Sequence, residues 1–517
     1  MKKLFIILGL MVFCVFLTSA PSLAAPATKA SGSSTTSGQP QYGGILKVIV
    51  TAIPNNIGYL PMMNADAQLR AAMYAERLMD VDMKGDLVPC LAESWKVDPD
   101  NLTVTFNLRK GVKFHDGTDF NAAAVKWNFQ ELMNAGSMPC GRYIKSIDVV
   151  DDYTIRFNLA KQNSHIVYDI WRPWIFSPTA FQKNGKDWAI THAVSTSAFK
   201  VVDFQRDVVI KLEKFEGYWR PGRPYLDGIE LRGVKDPATC SMMMQAGQAD
   251  LWLQATTLEA ADLRDRGFEA KVATSTFNNI YTDSNNPNSP FAMKKVREAV
   301  EYAMDRPAMS KALGYGFTIP MNQLAPPGTS GYNPEYKGRP YDPAKARQLL
   351  SEAGYPNGFK TNLNLLSPVL NLGTVIQNNL GTIGIEMKLE VTDPGRYWAK
   401  QFKDGWDGLH LGVAAISPEY CVAWLHHFGR DPDIKFASMA KSPEFIATCD
   451  KVMAARDIPS MRVLTRPMVT QASEDATAIP LYTNPALTIT QKYVNTSYCR
   501  DLYWTGWRIG DDWMSKK

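Results

Sequence analysis

The chain has 517 residues, of which 45% are hydrophobic and 21% are charged, and its formal net charge is +5 at pH 7. This length is more than one ordinary domain uses, so a globular protein of several domains is expected. A net charge this small on so long a chain excludes a surface devoted to nucleic acid.

The amino-terminal residues have the pattern of a secretion signal. Two lysines precede an apolar run over residues 4–17, and small residues at positions 22 and 24 frame a cleavage site. We predict that residues 1–24 are removed and that residues 25–40, which are small and polar, form a disordered linker. The apolar run is shorter than the ~20 residues of a membrane span. Because Cys14 lacks the small neighbours of a lipoprotein site, a soluble protein without a lipid anchor is expected.

The folded part is predicted to begin at Tyr42, with a strand over 45–50 and a helix over about 68–79. A hairpin follows, because turn residues at 98–101 separate residues 94–97 from residues 102–108, where apolar and polar side chains alternate. Asn121 is predicted to cap a helix whose apolar residues recur at 125, 129, 132 and 133. A second hairpin is predicted around Asp151 and Asp152. Between the hairpins, His115 and Asp116 suggest catalysis, but such a pair is typical of a structural turn.

The rest of the chain has the pattern of an α/β fold. Asp236-Pro237 and Asp342-Pro343 are each predicted to start a helix, since aspartate caps a helix and proline fits its first turn. Strands expected at 363–365 and 385–389 are separated by a helix that ends near residue 383. This order favours a parallel or mixed sheet with helices on its faces.

Several of these segments together resemble the extracellular solute-binding proteins of family 5. The sequence LAESW, the strand that ends in LRKGVKFHDGT and the helix that contains AAAVKWNF resemble the signature stretch of that family. Further similar blocks are IFSPTA at 175–180, the Val-Arg and Asp-Arg helix at 296–306, and AIPLY at 478–482. The resemblance covers nearly the whole mature chain.

The resemblance implies a bilobed α/β fold of the type II periplasmic-binding-protein kind, with mixed sheets and two hinge crossings. It places lobe I in residues 41–79, 193–275 and 480–517, and lobe II in residues 276–479. Residues 80–192 are expected to form a small α+β insertion domain. The hinge crossings are expected near residues 272–283 and 476–482.

The resemblance also implies a function. We expect the protein to capture a small molecule or short peptide between its lobes by hinge closure, and to deliver it to the permease subunits of an ABC transporter in the inner membrane. A secreted binding protein without an anchor is expected in a periplasm. A monomer with no cofactor, no bound metal and no nucleic-acid partner is expected.

The ligand is expected to contact residues in the segments that the family uses to line its pocket. These residues are Trp171, Trp174, Phe277, Asn279, Tyr281, Arg396, Trp398, Trp406, His410, Val413, Ile416, Ser417 and Tyr482. The alternative, that the aromatic members of this set are ordinary core, stays open because large aromatic side chains are usually buried for packing.

Two departures from the family bear on the ligand. In the loop over 193–198, serines and alanines replace the usual glycines and prolines, so the backbone must avoid positive φ or take another path. Ile416 stands where peptide-binding members have the aspartate that meets the ammonium of the peptide, and Glu419 replaces it only if the loop is re-registered. We therefore predict that free-amino dipeptides are not the ligand. A neutral or anionic, partly apolar molecule is expected, with Arg396 and His410 as partners for an acidic group.

Other functions rest on weaker patterns. His426 and His427 with Glu419 and Cys421 suggest a metal site or an enzyme, but adjacent histidines point to different sides and no catalytic motif surrounds them. No enzymatic activity and no catalytic residue is therefore expected. A metal- or haem-binding member of the same family, a periplasmic enzyme and a chaperone-like scaffold stay open as alternatives.

Disulfides are the last expectation. Of seven cysteines, Cys14 lies in the predicted signal, so six remain, an even number that permits bridges in an oxidising compartment. Because Cys421 and Cys449 both fall in lobe II, and relatives often carry a local bridge there, a bridge between these two is predicted.

Overall fold

A ten-stranded mixed sheet is the main element of the fold. The computed structural model describes residues 39–82, 85–416, 419–420, 436–498 and 507–515. The predicted signal peptide and nearly all of the predicted linker lie outside these residues. In spatial order the strands are β10 (Phe199–Gln205), β11 (Val209–Lys214), β12 (Gly228–Gly233), β1 (Ile45–Val50), β13 (Leu251–Leu253), β18 (Ala478–Thr490), β14 (Glu269–Thr282), β17 (Leu409–Ala415), β15 (Lys360–Leu365) and β16 (Glu386–Val391).

The two ends of this sheet contain the parallel strands that the sequence predicts. β1 is parallel to β12 and β13, and β15 is parallel to β16 and β17. Parallel neighbours need long crossovers and are usually covered on both faces, and in β1 the residues from Val48 to Val50 are all buried. Between these ends, the long strands β14 and β18 pair with each other in antiparallel fashion.

A separate four-stranded antiparallel sheet carries the two hairpins. Its order is β5 (Ala92–Asp98), β6 (Thr103–Leu108), β8 (Thr154–Leu159) and β7 (Ile144–Asp151). Helix α2 (Ala122–Asn134) packs on this sheet through Phe129, whose ring centroid lies 4.9 Å from that of Phe157. The predicted cap is confirmed, since the Asn121 side chain accepts a hydrogen bond from the Ala124 amide. Both hairpins are confirmed, although Leu102 belongs to the turn, with a φ of 52°.

The remaining elements are short strand pairs and helices. The pairs are β2 (Glu76–Arg77) with β9 (Trp174–Ile175), β3 (Met79–Val81) with β4 (Leu87–Pro89), and β19 (Val494–Asn495) with β20 (Trp513–Met514). The helices are α1 (Ala65–Ala71), α3 (Ile166–Trp171), α4 (Pro178–Asn184), α5 (Lys186–Thr191), α6 (Pro237–Gln245), α7 (Thr257–Asp265), α8 (Lys294–Tyr302), α9 (Arg306–Gly314), α10 (Pro343–Glu352), α11 (Leu370–Gly381), α12 (Pro394–Ala399), α13 (Pro443–Ala454) and α14 (Ile458–Asp475).

The helix predicted over 68–79 is wrong in its second part. Helix α1 ends at Ala71, and the chain then forms β2 and β3. The reason is tertiary pairing, because Glu76 and Arg77 pair with Ile175 and Trp174, about a hundred residues away in the sequence. A local pattern does not contain that partner.

Hydrophobic packing divides the described chain into two halves. The first half (residues 39–273 and 486–515) contains two cores, one of which joins the four-stranded sheet to β1 and β12. The second half (residues 277–482) contains two further cores, one around Phe277 and Tyr281 and one around Ile280 and Tyr482. The chain therefore passes between halves at residues 273–277 and 482–486. The predicted limits of the lobes and of the insertion domain stay predictions.

Serine-containing residues 193–198 form a well-bonded loop in the first half. The positive-φ residues of the described chain do not include Ser195 or Ser197, so this loop avoids the angles that glycine would permit. Ser195 donates to the Ile175 carbonyl, and the Ser197 carbonyl bonds the His115 ring at 2.9 Å. Burial lowers the pKa of His115 to about 4. These contacts agree with the structural reading of the turn at His115.

The predicted bridge between Cys421 and Cys449 is wrong for this structure. Cys421 lies outside the described residues, and Cys449 is a buried free thiol. Its Sγ lies 3.6 Å from the Sδ of Met468, because α13 turns this side chain into the core that it shares with α14. Cys90, Cys140 and Cys240 are also free thiols.

No helix within the described ranges has both the length and the apolar character that crossing a bilayer requires.

Candidate ligand-binding site between the two halves

Two adjacent strands carry the chain between the halves. β14 and β18 stay paired from Glu269 opposite Thr490 to Tyr281 opposite Ala478, with register shifts at residues 274–276 and 277–279. Near these register shifts, the side chains of Asn484 and Asn278 form two hydrogen bonds with each other, of 2.7 and 3.1 Å. A bulge leaves backbone unpaired and lets a strand bend, so the crossing is the natural place for a hinge.

Arg462 is the main polar contact between the halves away from these strands. Its guanidinium, which projects from α14 in the second half, forms an ion pair of 2.7 Å with Asp86 of the first half. It also donates to the Tyr168 hydroxyl at 3.1 Å. The same guanidinium bonds Glu419 of its own half at 2.7 Å. One planar side chain with five N–H donors therefore joins three acceptors across the interface.

Other contacts continue this interface. Ser164, at the start of α3, donates to the Val452 carbonyl at 2.7 Å, and Gln162 donates to the Ala455 carbonyl at 2.9 Å. Arg456 pairs with Asp100 at 2.6 Å, but both side chains are mostly exposed, so solvent screens this pair. The halves are thus held together where α3 meets the ends of α13 and α14.

Glu419 is fully engaged in this arrangement. Its side chain has no exposed surface, and it accepts hydrogen bonds from both Arg462 and Ser330. Ile416 is buried in the second-half core, with its amide bonded to the Ser275 carbonyl. The site therefore lacks an uncompensated carboxylate at either position that the sequence raised as an anchor for an ammonium.

Five of the predicted ligand residues lie in one aromatic cluster of the second half. Tyr281, Trp406 and His410 have ring centroids within 6.3 Å of one another. Phe277 and Ile416 belong to the same core as Tyr281 and Trp406. All five side chains are buried, which matches the alternative of ordinary core packing that the sequence left open.

His410 is neutral in this cluster. One ring nitrogen lies 2.8 Å from the Asn364 amide nitrogen and the other 3.1 Å from the Gln401 amide oxygen. Burial and, to a smaller extent, the charge of Lys400 together lower the pKa of His410 to about 3. At neutral pH the ring therefore carries no charge with which to meet an acidic ligand.

The other predicted residues of the second half are dispersed. Arg396 and Trp398 are exposed on α12, where Trp398 stacks on Phe402 with ring centroids 5.6 Å apart. Val413 is half-buried on β17, and Asn279 and Tyr482 are buried, Tyr482 in a different core from the aromatic cluster. Ser417 lies outside the described residues. The structure thus does not bring the thirteen predicted residues into one pocket, and their role in binding stays a prediction.

Trp171 and Trp174 lie in the first half around a residue that the sequence did not single out. The Arg77 guanidinium carbon lies 3.7 Å from the Trp174 ring centroid and 4.5 Å from that of Trp171. Such short distances are typical of cation–π stacking. Arg77 lies in a two-residue strand, within a segment whose sequence pattern predicts a helix. No local sequence pattern therefore identified Arg77 as a candidate site residue.

A cavity of about 380 Å³ adjoins Arg77 and Trp174. Glu76 lies on its wall and accepts hydrogen bonds from Thr196, Tyr218 and Trp219 at 2.8, 2.8 and 2.9 Å. Burial raises the pKa of Glu76 to about 7, and these hydrogen bonds oppose the rise. Glu76 therefore changes its charge near neutral pH.

No cluster of three or more potential metal ligands occurs among the described residues. The histidine pair that the sequence raised for a metal site, His426 and His427, lies outside them together with Cys421. Glu419, the remaining member, is bonded to Arg462.

Sequence comparison assigns these features to a known family. The model of the bacterial extracellular solute-binding proteins, family 5, matches residues 86–422. The glutathione-binding protein GsiB of Escherichia coli O1:K1 is 35% identical over 363 residues, which cover 68% of this chain and 70% of the relative. GsiB of Shigella flexneri is also 35% identical, over 368 residues and the same shares of both chains.

Solved structures share the fold. The periplasmic binding protein DppA of Helicobacter pylori, in complex with the peptide STSA, matches with a TM-score of 0.78 and 24% identity, over 92% of this chain and 99% of that one. NikA of Brucella suis, in complex with Fe(III)-EDTA, matches with a TM-score of 0.79 and 21% identity, over 90% and 100%. The expected type II periplasmic-binding-protein fold is therefore confirmed.

The raised pKa of Glu76 predicts a pH-dependent stability. A carboxyl with a pKa near 7 in the folded state and 4.5 otherwise binds its proton more tightly when folded. Its contribution is complete below about pH 4.5 and is lost as the pH rises through about 7. Relative to the Glu76→Gln variant, the wild type should lose up to about 3 kcal/mol of unfolding free energy across this window.

Urea unfolding of both proteins at several pH values measures this difference. Burial also raises the pKa of Asp512, to about 6, but Asp512 is present in both proteins and its effect cancels in the comparison. Parallel pH profiles for the two proteins would show that Glu76 titrates normally.

Proposed function

The chain belongs to the bacterial extracellular solute-binding proteins of family 5, and from this premise we propose that it binds a neutral or anionic small solute by closing its two halves. Proteins of this family capture ligands for ABC transporters, and capture of a solute for import is the function of this chain. Its relatives are binding proteins and not enzymes. Family membership does not specify the class of ligand or the way in which the two halves close, and both are proposed here.

Closure is supported by the way in which the halves meet. Only the pair of bulged strands, β14 and β18, carries the chain between them in the described residues, while the opposite contact is polar and centred on Arg462. Polar contacts of this kind form and break more readily than a packed apolar interface. A ligand that contacts both halves would therefore favour the joined state.

The proposed ligand class follows from the lack of a free carboxylate at positions 416 and 419. A solute with a free ammonium needs a carboxylate when it is buried, because an unpaired charge in the interior costs about 3–5 kcal/mol. Ile416 supplies no charge, and Glu419 is already neutralised by Arg462. This single observation, the engagement of Glu419, supports a ligand without an exposed positive group.

Glutathione is the first compound to test. The relatives that share 35% identity with this chain are named for binding it. It carries two carboxylates and one ammonium, so it tests the proposed class directly, because the ammonium of a buried glutathione would lack a carboxylate partner. We further propose that the protein works in the periplasm as a monomer and serves one ABC permease.

A thermal-shift comparison tests the ligand class. N-acetyl-Ala-Phe should raise the melting temperature, whereas free Ala-Phe, which differs from its acetylated form only by the ammonium, and glutathione, which also has a free ammonium, should not. At a ligand concentration of ~100 Kd the expected stabilisation is about 2.7 kcal/mol. Stabilisation by free Ala-Phe that acetylation abolishes would contradict the proposal.

A second prediction concerns Arg462. In the Arg462→Lys variant the charge beside Glu419 is kept, but a point-like ammonium cannot serve Glu419, Asp86 and Tyr168 together. Loss of the bonds to Asp86 and Tyr168 weakens only the joined state, so the variant should release ligand about tenfold faster, the equivalent of ~1.4 kcal/mol. Stopped-flow fluorescence with the compound that gives the largest thermal shift measures the rate.

The matched control is Arg456→Lys. Arg456 also pairs across the interface, with Asp100, but on the exposed side. Its release rate should stay within about twofold of the wild type, because screened surface pairs contribute little. If the two variants released ligand at the same rate, Arg462 would have no special part in closure.

A further inference from the structure

A second binding site is indicated in the first half, apart from the interface around Arg462. Its central feature is Arg77, whose side chain is only 9% exposed. Within the described residues the Arg77 guanidinium forms no hydrogen bond and no ion pair, and its Nε is fully buried without a partner. Buried guanidinium groups are normally bonded on several N–H donors, so this one lacks its acceptor.

The charges near Arg77 do not replace that acceptor. Asp80 favours the Arg77 charge, but its carboxylate already bonds Arg508 at 3.2 Å and the Val81 amide at 2.8 Å. Arg172 adds a like charge that opposes it. No carboxylate among the described residues therefore pairs with Arg77, and an unpaired guanidinium favours an anion.

The stacking of Arg77 restricts how an anion can reach it. The Trp171 and Trp174 rings lie against the guanidinium, so its edge remains for hydrogen bonding. A carboxylate in the plane of the guanidinium can accept two parallel bonds from that edge.

The adjoining cavity has room for the rest of such a molecule. Its volume of about 380 Å³ falls within the range of ~300–1,000 Å³ that is usual for small-molecule sites. Its walls include Trp174, Tyr218, Trp219 and Trp507, which offer flat aromatic surface. Arg220, also on the wall, is bonded to both oxygens of Asp511 and is not available as a second anchor.

We propose that this cavity binds a small aromatic carboxylate, with the carboxylate on the edge of Arg77 and the ring between the aromatic walls. The ligand would supply the acceptor that the Arg77 guanidinium lacks. Arg77 belongs neither to the Arg462 interface nor to the residues predicted to contact the transported ligand, although Trp171 and Trp174 belong to that predicted set, so variants of Arg77 test this site separately.

Calorimetry with benzoate and with benzamide tests this site on the full mature chain. The two probes have the same shape, but only benzoate is charged, so benzoate should bind about tenfold more tightly or better. The Arg77→Gln variant should lose about tenfold in benzoate affinity, and Arg77→Lys, which keeps the charge but cannot donate two parallel bonds, about fivefold. Arg206→Gln, an exposed arginine elsewhere in the first half, should bind benzoate as the wild type does.

Three results would overturn the proposal. They are failure of the wild type to bind benzoate, equal affinity for benzoate and benzamide, and wild-type benzoate affinity in either folded variant of Arg77. If Arg77→Gln does not fold, Arg77→Lys decides alone, because lysine keeps the positive charge at this position.

Discussion

The ion pair between Arg462 and Glu419 is the interaction on which the proposed ligand site depends. A glutamate side chain with no exposed surface is tolerated only because a guanidinium compensates its charge. The other donors of that guanidinium reach Asp86 and Tyr168 in the first half. The same residue therefore removes a carboxylate from the ligand site and links the two halves, so ligand class and closure share one physical cause.

The crossing strands make this link reversible. The apolar cores end on either side of residues 273–277 and 482–486, and between them β14 and β18 carry bulges and the contacts of Asn484 with Asn278 and Thr276. Apolar cores resist deformation because they are close-packed, whereas a bulged two-strand connection can bend. In the proposed closure, each half thus moves as a unit. The polar contacts at α3 are present when the halves are joined.

The sequence predicted the local features of the fold well. Helix caps at Asn121 and Asp236 and the two hairpins are confirmed, because capping and turn chemistry act over a few residues. The helix over 68–79 was wrong because β2 pairs with a strand far along the chain. The Cys449 bridge was wrong because sequence proximity does not fix which face of a helix a thiol occupies.

The candidate site was less accessible to sequence reasoning. An aromatic residue in a pocket and one in a core look alike in a sequence, and Tyr281, Trp406 and His410 are buried. The roles proposed for Arg77 and Arg462 depend on partners and cavities that distant segments of the chain form. No local sequence pattern therefore identifies these two residues. The absence of an acidic residue at position 416 could be predicted from the sequence directly, because it depends only on the residue type at that position.

The most direct test of the account is the radius of gyration of the protein with and without ligand, measured by small-angle X-ray scattering on the mature chain. The compound with the largest thermal shift should be used at saturation, with confirmed binding. Closure of the halves on β14 and β18 predicts a smaller radius in the bound state than in the free state. Identical scattering curves for the free and bound protein would contradict the account.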